Sequence, residues 1–175
     1  MQSMRNARVA LRMHHCTIAM TPTTTFDPRL LVSSLNRCIE ACIDAQRAYG
    51  SAAAMARDGR LKDFFHARED ERARFVQELQ RAVIAFGAFP ENRGTLRGAA
   101  RRRLMDIARD LEPRHDDHRV MAELLREERA ALDAYEAAVP EARVELMSPD
   151  LRVALREQRG AMELAYDELS HRIAA

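Results

Sequence analysis

The chain has 175 residues, 47% hydrophobic and 31% charged, the proportions of a single domain rich in amphipathic helix and long enough to bury a real core. Its 28 basic and 27 acidic residues leave a net charge of +1, so no bulk field draws it to nucleic acid or to an anionic membrane. No apolar run approaches the roughly 18 residues of a membrane span, and three cysteines, Cys16, Cys38 and Cys42, do not make a secreted disulfide framework.

Residues 1–26 place Arg5, Arg8, Arg12, His14 and His15 among short, broken apolar stretches and then a Thr-rich run. The expectation is a disordered arm, or an upstream start with Met20 as the true initiator. The first helix should open at Asp27-Pro28, an acidic cap followed by proline at the first helical position. Leu31, Leu35, Cys38, Cys42, Ala45, Tyr49 and Ala52 then alternate by four and three, the seam of a bundle helix. Cys38 and Cys42 share one face, where parallel side chains suit a disulfide poorly; they read as two small buried apolar residues.

A short turn near Asp58-Gly59 forces an antiparallel partner, predicted from about Arg60 to Phe86. Its stripe is Leu61, Phe65, Arg72, Phe75, Leu79, Ala82 and Phe86, interrupted at mid-helix by Arg68, Glu71 and Arg72. The breaker run 87–94 ends it. A third helix is expected over 95–112, stopped by Pro113. At 1.5 Å per residue it is about 27 Å long, enough to carry the chain from one end of a bundle to the other. Two more helices follow at about 116–139 and 149–173, separated by Pro140. Their seams are Met121, Leu125, Glu128, Leu132, Tyr135 and Val139, and Leu151, Leu155, Gln158, Met162, Ala165 and Leu169. No stretch alternates like a strand. Two hairpins joined by a bundle-length crossover give an all-α, ferritin-like four-helix bundle over residues 27–175, with an up-down-up-down bundle plus one extra helix as the alternative.

Measured from the hairpin turns, Asp44 and Arg72 lie at matching heights, as do Glu128 and Gln158. Packed hairpins would bring these polar side chains into the middle of the core, where charge must be paired or bound. One way to satisfy it is metal, iron or manganese, with Glu40, Asp44, Glu71 and Glu128 as candidate ligands. Di-metal bundles of this type take a carboxylate from each of two helices and Glu-x-x-His from each of the other two. Here Glu69 is followed three residues later by Arg72, Glu71 by Arg74 and Glu163 by Tyr166; Glu168 with His171 is the one literal match, at the last turn of the chain. The other way is internal ion pairing, with Arg72 against Glu128 or Asp44 and Gln158 completing a structural polar layer without any cofactor. The pairing reading is preferred.

The stretches 35–54, 71–102 and 118–139 resemble the bacterial ferritin-like helical-bundle proteins of domain-of-unknown-function family 2383. The likeness runs from about residue 30 onward. It rests on Asp44 with Tyr49, Arg72 with Phe75, the Gly87-x-x-Pro90 turn, Gly94 with Gly98, and Arg126 with Glu128. It implies the bundle and no established activity.

Arg97, Arg101, Arg102, Arg103 and Arg109 make the crossover locally basic, but Asp106 and Asp110 balance them and stacking aromatics are missing, so nucleic acid is not the expected partner. His115, Asp116, Asp117 and His118 have metal-like spacing, yet they also form an acidic cap to the following helix. There is no phosphate loop and no nucleophile motif. The expectation is a cytoplasmic, non-enzymatic bundle acting by self-association, as a homodimer, or by binding a protein partner. The alternative is a carboxylate-bridged di-metal protein of iron or manganese.

Overall fold

A computed structural model of the chain describes residues 27–96, 98, 117–138 and 147–174. The predicted arm, most of the predicted crossover helix with its arginines, and Cys16, His115 and Asp116 lie outside the described residues. Among the described residues there are four long helices: α1 (Pro28–Met55), α2 (Gly59–Ala85), α3 (Asp117–Ala138) and α4 (Pro149–Ala174). Among the described residues there is no strand.

The first hairpin is built at both ends by short acidic caps. Asp27 accepts a hydrogen bond from the Arg29 N–H, with Pro28 opening the helix, and Asp58 does the same for Arg60 at the start of α2. α1 ends at Met55, slightly before the expected Asp58-Gly59 turn, because Asp58 is needed as the cap of α2. α2 closes on Gly87, whose φ of 72° reverses the chain.

The side-chain contacts fix the topology. The Arg57 N–H, just past α1, donates to Asp117 at the start of α3, and His118 at the start of α3 meets the Ile173 carbonyl at the end of α4. The α1/α3 and α3/α4 pairs are therefore antiparallel. At the opposite end Asn36, early in α1, exchanges hydrogen bonds with the backbone of Phe89 and Glu91 beyond α2. α2 thus ends at one end of the bundle and α3 begins at the other, the arrangement that demands a crossover. α1 packs most fully against α2 and α3, α3 packs against α4, and α2 meets α4 only sparsely.

The core comes in two parts. One gathers Leu35, Ile39, Leu79, Val83, Leu132 and Met162 toward the α1 N-terminus. The other gathers Tyr49, Ala53, Leu61, Phe65, Leu124 and Leu169 toward the α1 C-terminus. Fully burying a Leu or Phe is worth about 1.5–3 kcal/mol, so either part holds its half of the bundle together. Between them, at the waist, sit Arg72 and Glu128, both 0% exposed. Two buried ions therefore separate two apolar cores.

Candidate functional site

Arg72 is carried inward by its register: Leu61, Phe65, Arg72, Val76, Leu79 and Val83 are the buried positions of α2, and Arg72 lies one heptad from both Phe65 and Leu79. Phe75 is half-buried and Phe86 exposed, and Val76 and Val83 fill the core where the stripe read from sequence had placed Phe75 and Phe86. The Arg72 guanidinium is flanked by aromatic rings, its Cζ 5.9 Å from the Tyr49 centroid and 5.3 Å from that of Phe75, each a cation–π contact.

The guanidinium donates in two directions. Nη2 reaches Glu128 Oε1 at 2.7 Å and Nη1 reaches Glu71 Oε2 at 2.7 Å. Glu71 also accepts from Arg68 Nη1 at 3.1 and 3.2 Å. Two carboxylates and two guanidiniums thus alternate across the waist and cancel. Burial pushes the Arg72 pKa down, but Glu128, Tyr49 and Glu71 outweigh it and hold the group above its ordinary value. The Arg72–Glu128 pair is desolvated at both ends, so its Coulomb energy works largely to offset the loss of water. Four buried atoms of this region make no well-formed hydrogen bond: Arg68 Nε, Arg72 Nε, Tyr49 OH and Glu128 Oε2. Burial first, then the neighbouring Glu128 carboxylate, lifts the Tyr49 phenol well above its usual range, so the ring stays neutral.

Of the remaining residues expected in this layer, the structure places Asp44 and Gln158 in other networks. Asp44 accepts from the Thr95 N–H at 2.9 Å and from Thr95 Oγ1 at 2.6 Å, while Thr95 Oγ1 accepts from the Gly98 N–H at 2.9 Å. Asp44 and Thr95 therefore dock and cap the segment that leaves the first hairpin. A Cβ on Gly94 or Gly98 would overlap the Asp44 carboxylate, which explains why glycine stands at both positions.

Gln158 belongs to a second chain, buried at Cys42, Tyr135 and Gln158 and ending at the exposed Glu78. Tyr135 OH donates to Gln158 Oε1 at 2.9 Å, Gln158 Nε2 donates to Glu78 Oε2 at 2.8 Å, and Cys42 Sγ lies 3.1 Å from Tyr135 OH. Since Tyr135 gives its proton to Gln158, Cys42 is the donor of the last bond. This chain draws one residue from each of the four helices and fixes their mutual register. Tyr135, Cys42 and Glu78 are the members that sequence reasoning missed. The available signal was a tyrosine in a bundle seam, whose hydroxyl requires a partner.

The thiols are held inert. Burial, opposed by the Tyr135 hydrogen bond and Arg72, pushes the Cys42 thiol up to about 12; burial and then Cys42 push Cys38 higher still. The reactive thiolate is therefore scarce at neutral pH. In a Cys16→Ser variant, an aromatic disulfide reagent at pH 8 should leave native protein unlabelled and release two thiols per chain on unfolding. Rapid labelling of the folded protein would contradict this burial.

The four candidate metal ligands do not form a single cluster. Glu71 and Glu128 are bonded to Arg72, Asp44 to Thr95, and Glu40 lies in a groove with Arg37 and Glu91. Burial, then Glu91 and Asp44, raise the Glu40 pKa, with Arg37 opposing. Among the described residues no group of three or more His, Cys, Asp or Glu side chains is placed to hold a metal. A guanidinium fills the space between the two central carboxylates, so the donor set at the waist does not fit a di-metal centre.

The chain is similar in structure to a crystal structure described as ferritin-like, diiron-carboxylate proteins from Bacillus anthracis str. Ames, with a TM-score of 0.67 and 17% identity, covering 85% of this chain and 99% of that one. At that identity the likeness establishes the ferritin-like bundle fold. No curated protein sequence matches the chain. The family model for a domain of unknown function, DUF2383, matches residues 31–141, and with well over half of its length so matched the chain belongs to the DUF2383 family.

Proposed function

We propose that this protein is a non-enzymatic ferritin-like bundle that acts by self-association through the end where α1 begins and α2 ends. The supporting observation is where its exposed apolar side chains fall. Leu30, Ile84, Phe86, Phe89 and Val153 belong to that end, with Phe89 95% exposed, whereas Leu96 and Leu164 are exposed singly elsewhere. Single exposed hydrophobics are ordinary, whereas several gathered at one end favour an interface. Beside them runs a groove of about 580 Å³ that includes Pro28, Val32, Phe86 and Ala88 together with Arg37 and Glu91. Such a mixed lining suits a two-fold pairing, in which arginine of one copy faces glutamate of the other. Two buried free thiols suit a reducing compartment, and the cytoplasm is the proposed location.

Sedimentation equilibrium on the full chain tests this reading. The expected result is a dimer that Phe89→Glu converts to a folded monomer. A wild-type monomer at every accessible concentration would overturn it. The structural neighbour, described as diiron-carboxylate, favours a second reading, a carboxylate-bridged iron or manganese protein. Its weakness is the donor set described above. Metal analysis of untagged protein separates the two, since the second reading requires about two metal equivalents per chain.

A further inference from the structure

We infer that the waist of this bundle is a cation site whose occupant is built into the chain: the Arg72 guanidinium stands where Glu71 and Glu128 converge beside Tyr49, and it excludes a divalent ion from that position. This stands on the waist geometry and is independent of whether the chain self-associates.

Three observations carry it. The two carboxylates, on different helices, are each held at 2.7 Å by different nitrogens of one guanidinium, so both point at a single centre of positive charge. Glu128 Oε2 and Tyr49 OH make no well-formed hydrogen bond, although Glu128 is 0% and Tyr49 1% exposed and the phenol lies close beside the Glu128 carboxylate. The arginine therefore satisfies the charge of this pocket but not all of its oxygen atoms. Finally, Arg72 is 0% exposed and lies against the rings of Tyr49 and Phe75, so it cannot swing aside without opening the core.

The charge balance gives the consequence. With Arg68 and Arg72 in place, Glu71 and Glu128 are neutralised one for one. Removing the Arg72 side chain leaves a net negative charge in a space vacated by a whole guanidinium. That space is bordered by two carboxylates and a phenolic oxygen, the hard oxygen donors that manganese prefers, with water completing the coordination. The exclusion is electrostatic as well as steric, so a lysine at this position should preserve it.

Manganese chloride is the probe, applied to the wild type, Arg72→Ala, Arg72→Lys and the double variant Arg72→Ala/Glu128→Gln. Wild type and Arg72→Lys should be indifferent. Arg72→Ala should take up manganese in equilibrium dialysis, and its melting temperature should rise by several degrees once the ion exceeds its Kd about a hundredfold. The double variant should lose both responses. If Arg72→Ala is unfolded alone, recovery of helical circular dichroism on adding manganese is the expected result. Indifference of Arg72→Ala, folded or not, would overturn the proposal. So would stoichiometric manganese in the wild type that Glu128→Gln abolishes.

Discussion

Arg72→Met should lower the unfolding free energy by about 3–5 kcal/mol, the cost of leaving a buried ion without its partner, while the far-ultraviolet spectrum stays helical. Methionine retains much of the arginine stem's bulk but loses the guanidinium that lies against Tyr49 and Phe75. It cannot donate to Glu128, which is 0% exposed and receives its hydrogen bond from Arg72 Nη2. Glu71 fares better, because it is part-exposed and keeps Arg68. Domains of this size carry about 5–15 kcal/mol of stability, so the variant should remain folded at ambient temperature with a much lower urea midpoint. The double variant Arg72→Met/Glu128→Leu should recover most of the loss, since an apolar layer needs no countercharge. If single and double variants unfold at the same urea concentration, the penalty does not come from the orphaned carboxylate.

Gly98→Ala is the second large effect, and its sign is the reverse of the usual helix rule. In an ordinary helical position alanine is favoured over glycine by about 1 kcal/mol. Here the new Cβ would overlap the Asp44 carboxylate, a short side chain already fixed by two hydrogen bonds from Thr95. Overpacking of this kind costs about 1–3 kcal/mol. Denaturant melts should show Gly98→Ala destabilised, and the same change in an Asp44→Ala background nearly harmless. Equal costs in both backgrounds would mean that Asp44 is not what the glycine accommodates.

The helices were legible because their signals are local. Asp27-Pro28, the seams of four and three, and the breaker run at 87–94 each act within a turn or two of chain, and the helix spans follow them closely. The polar residues were harder for a physical reason. Periodicity gives the height and face of a side chain but not its partner. Asp44, Arg72, Glu128 and Gln158 do face inward, yet they divide among three networks. Asp44 is bound by a threonine 51 residues away, and the clue to it was the paired glycines 94 and 98, which mark a close approach. Phe86 was read as the end of a core stripe. The reversal at Gly87 carries the chain away there, and Phe86 is left 40% exposed. Arg72 was the most informative position throughout, because an arginine one heptad from two buried apolar residues must bring its own counterions into the core.

The most direct measurement is a crystal structure of untagged wild-type protein incubated with manganese and iron, with anomalous data collected at both metal edges. The Arg72 guanidinium should lie between Glu71 and Glu128, with no anomalous peak at the waist. A metal peak bonded to those carboxylates, with the guanidinium displaced from between them, would contradict the account.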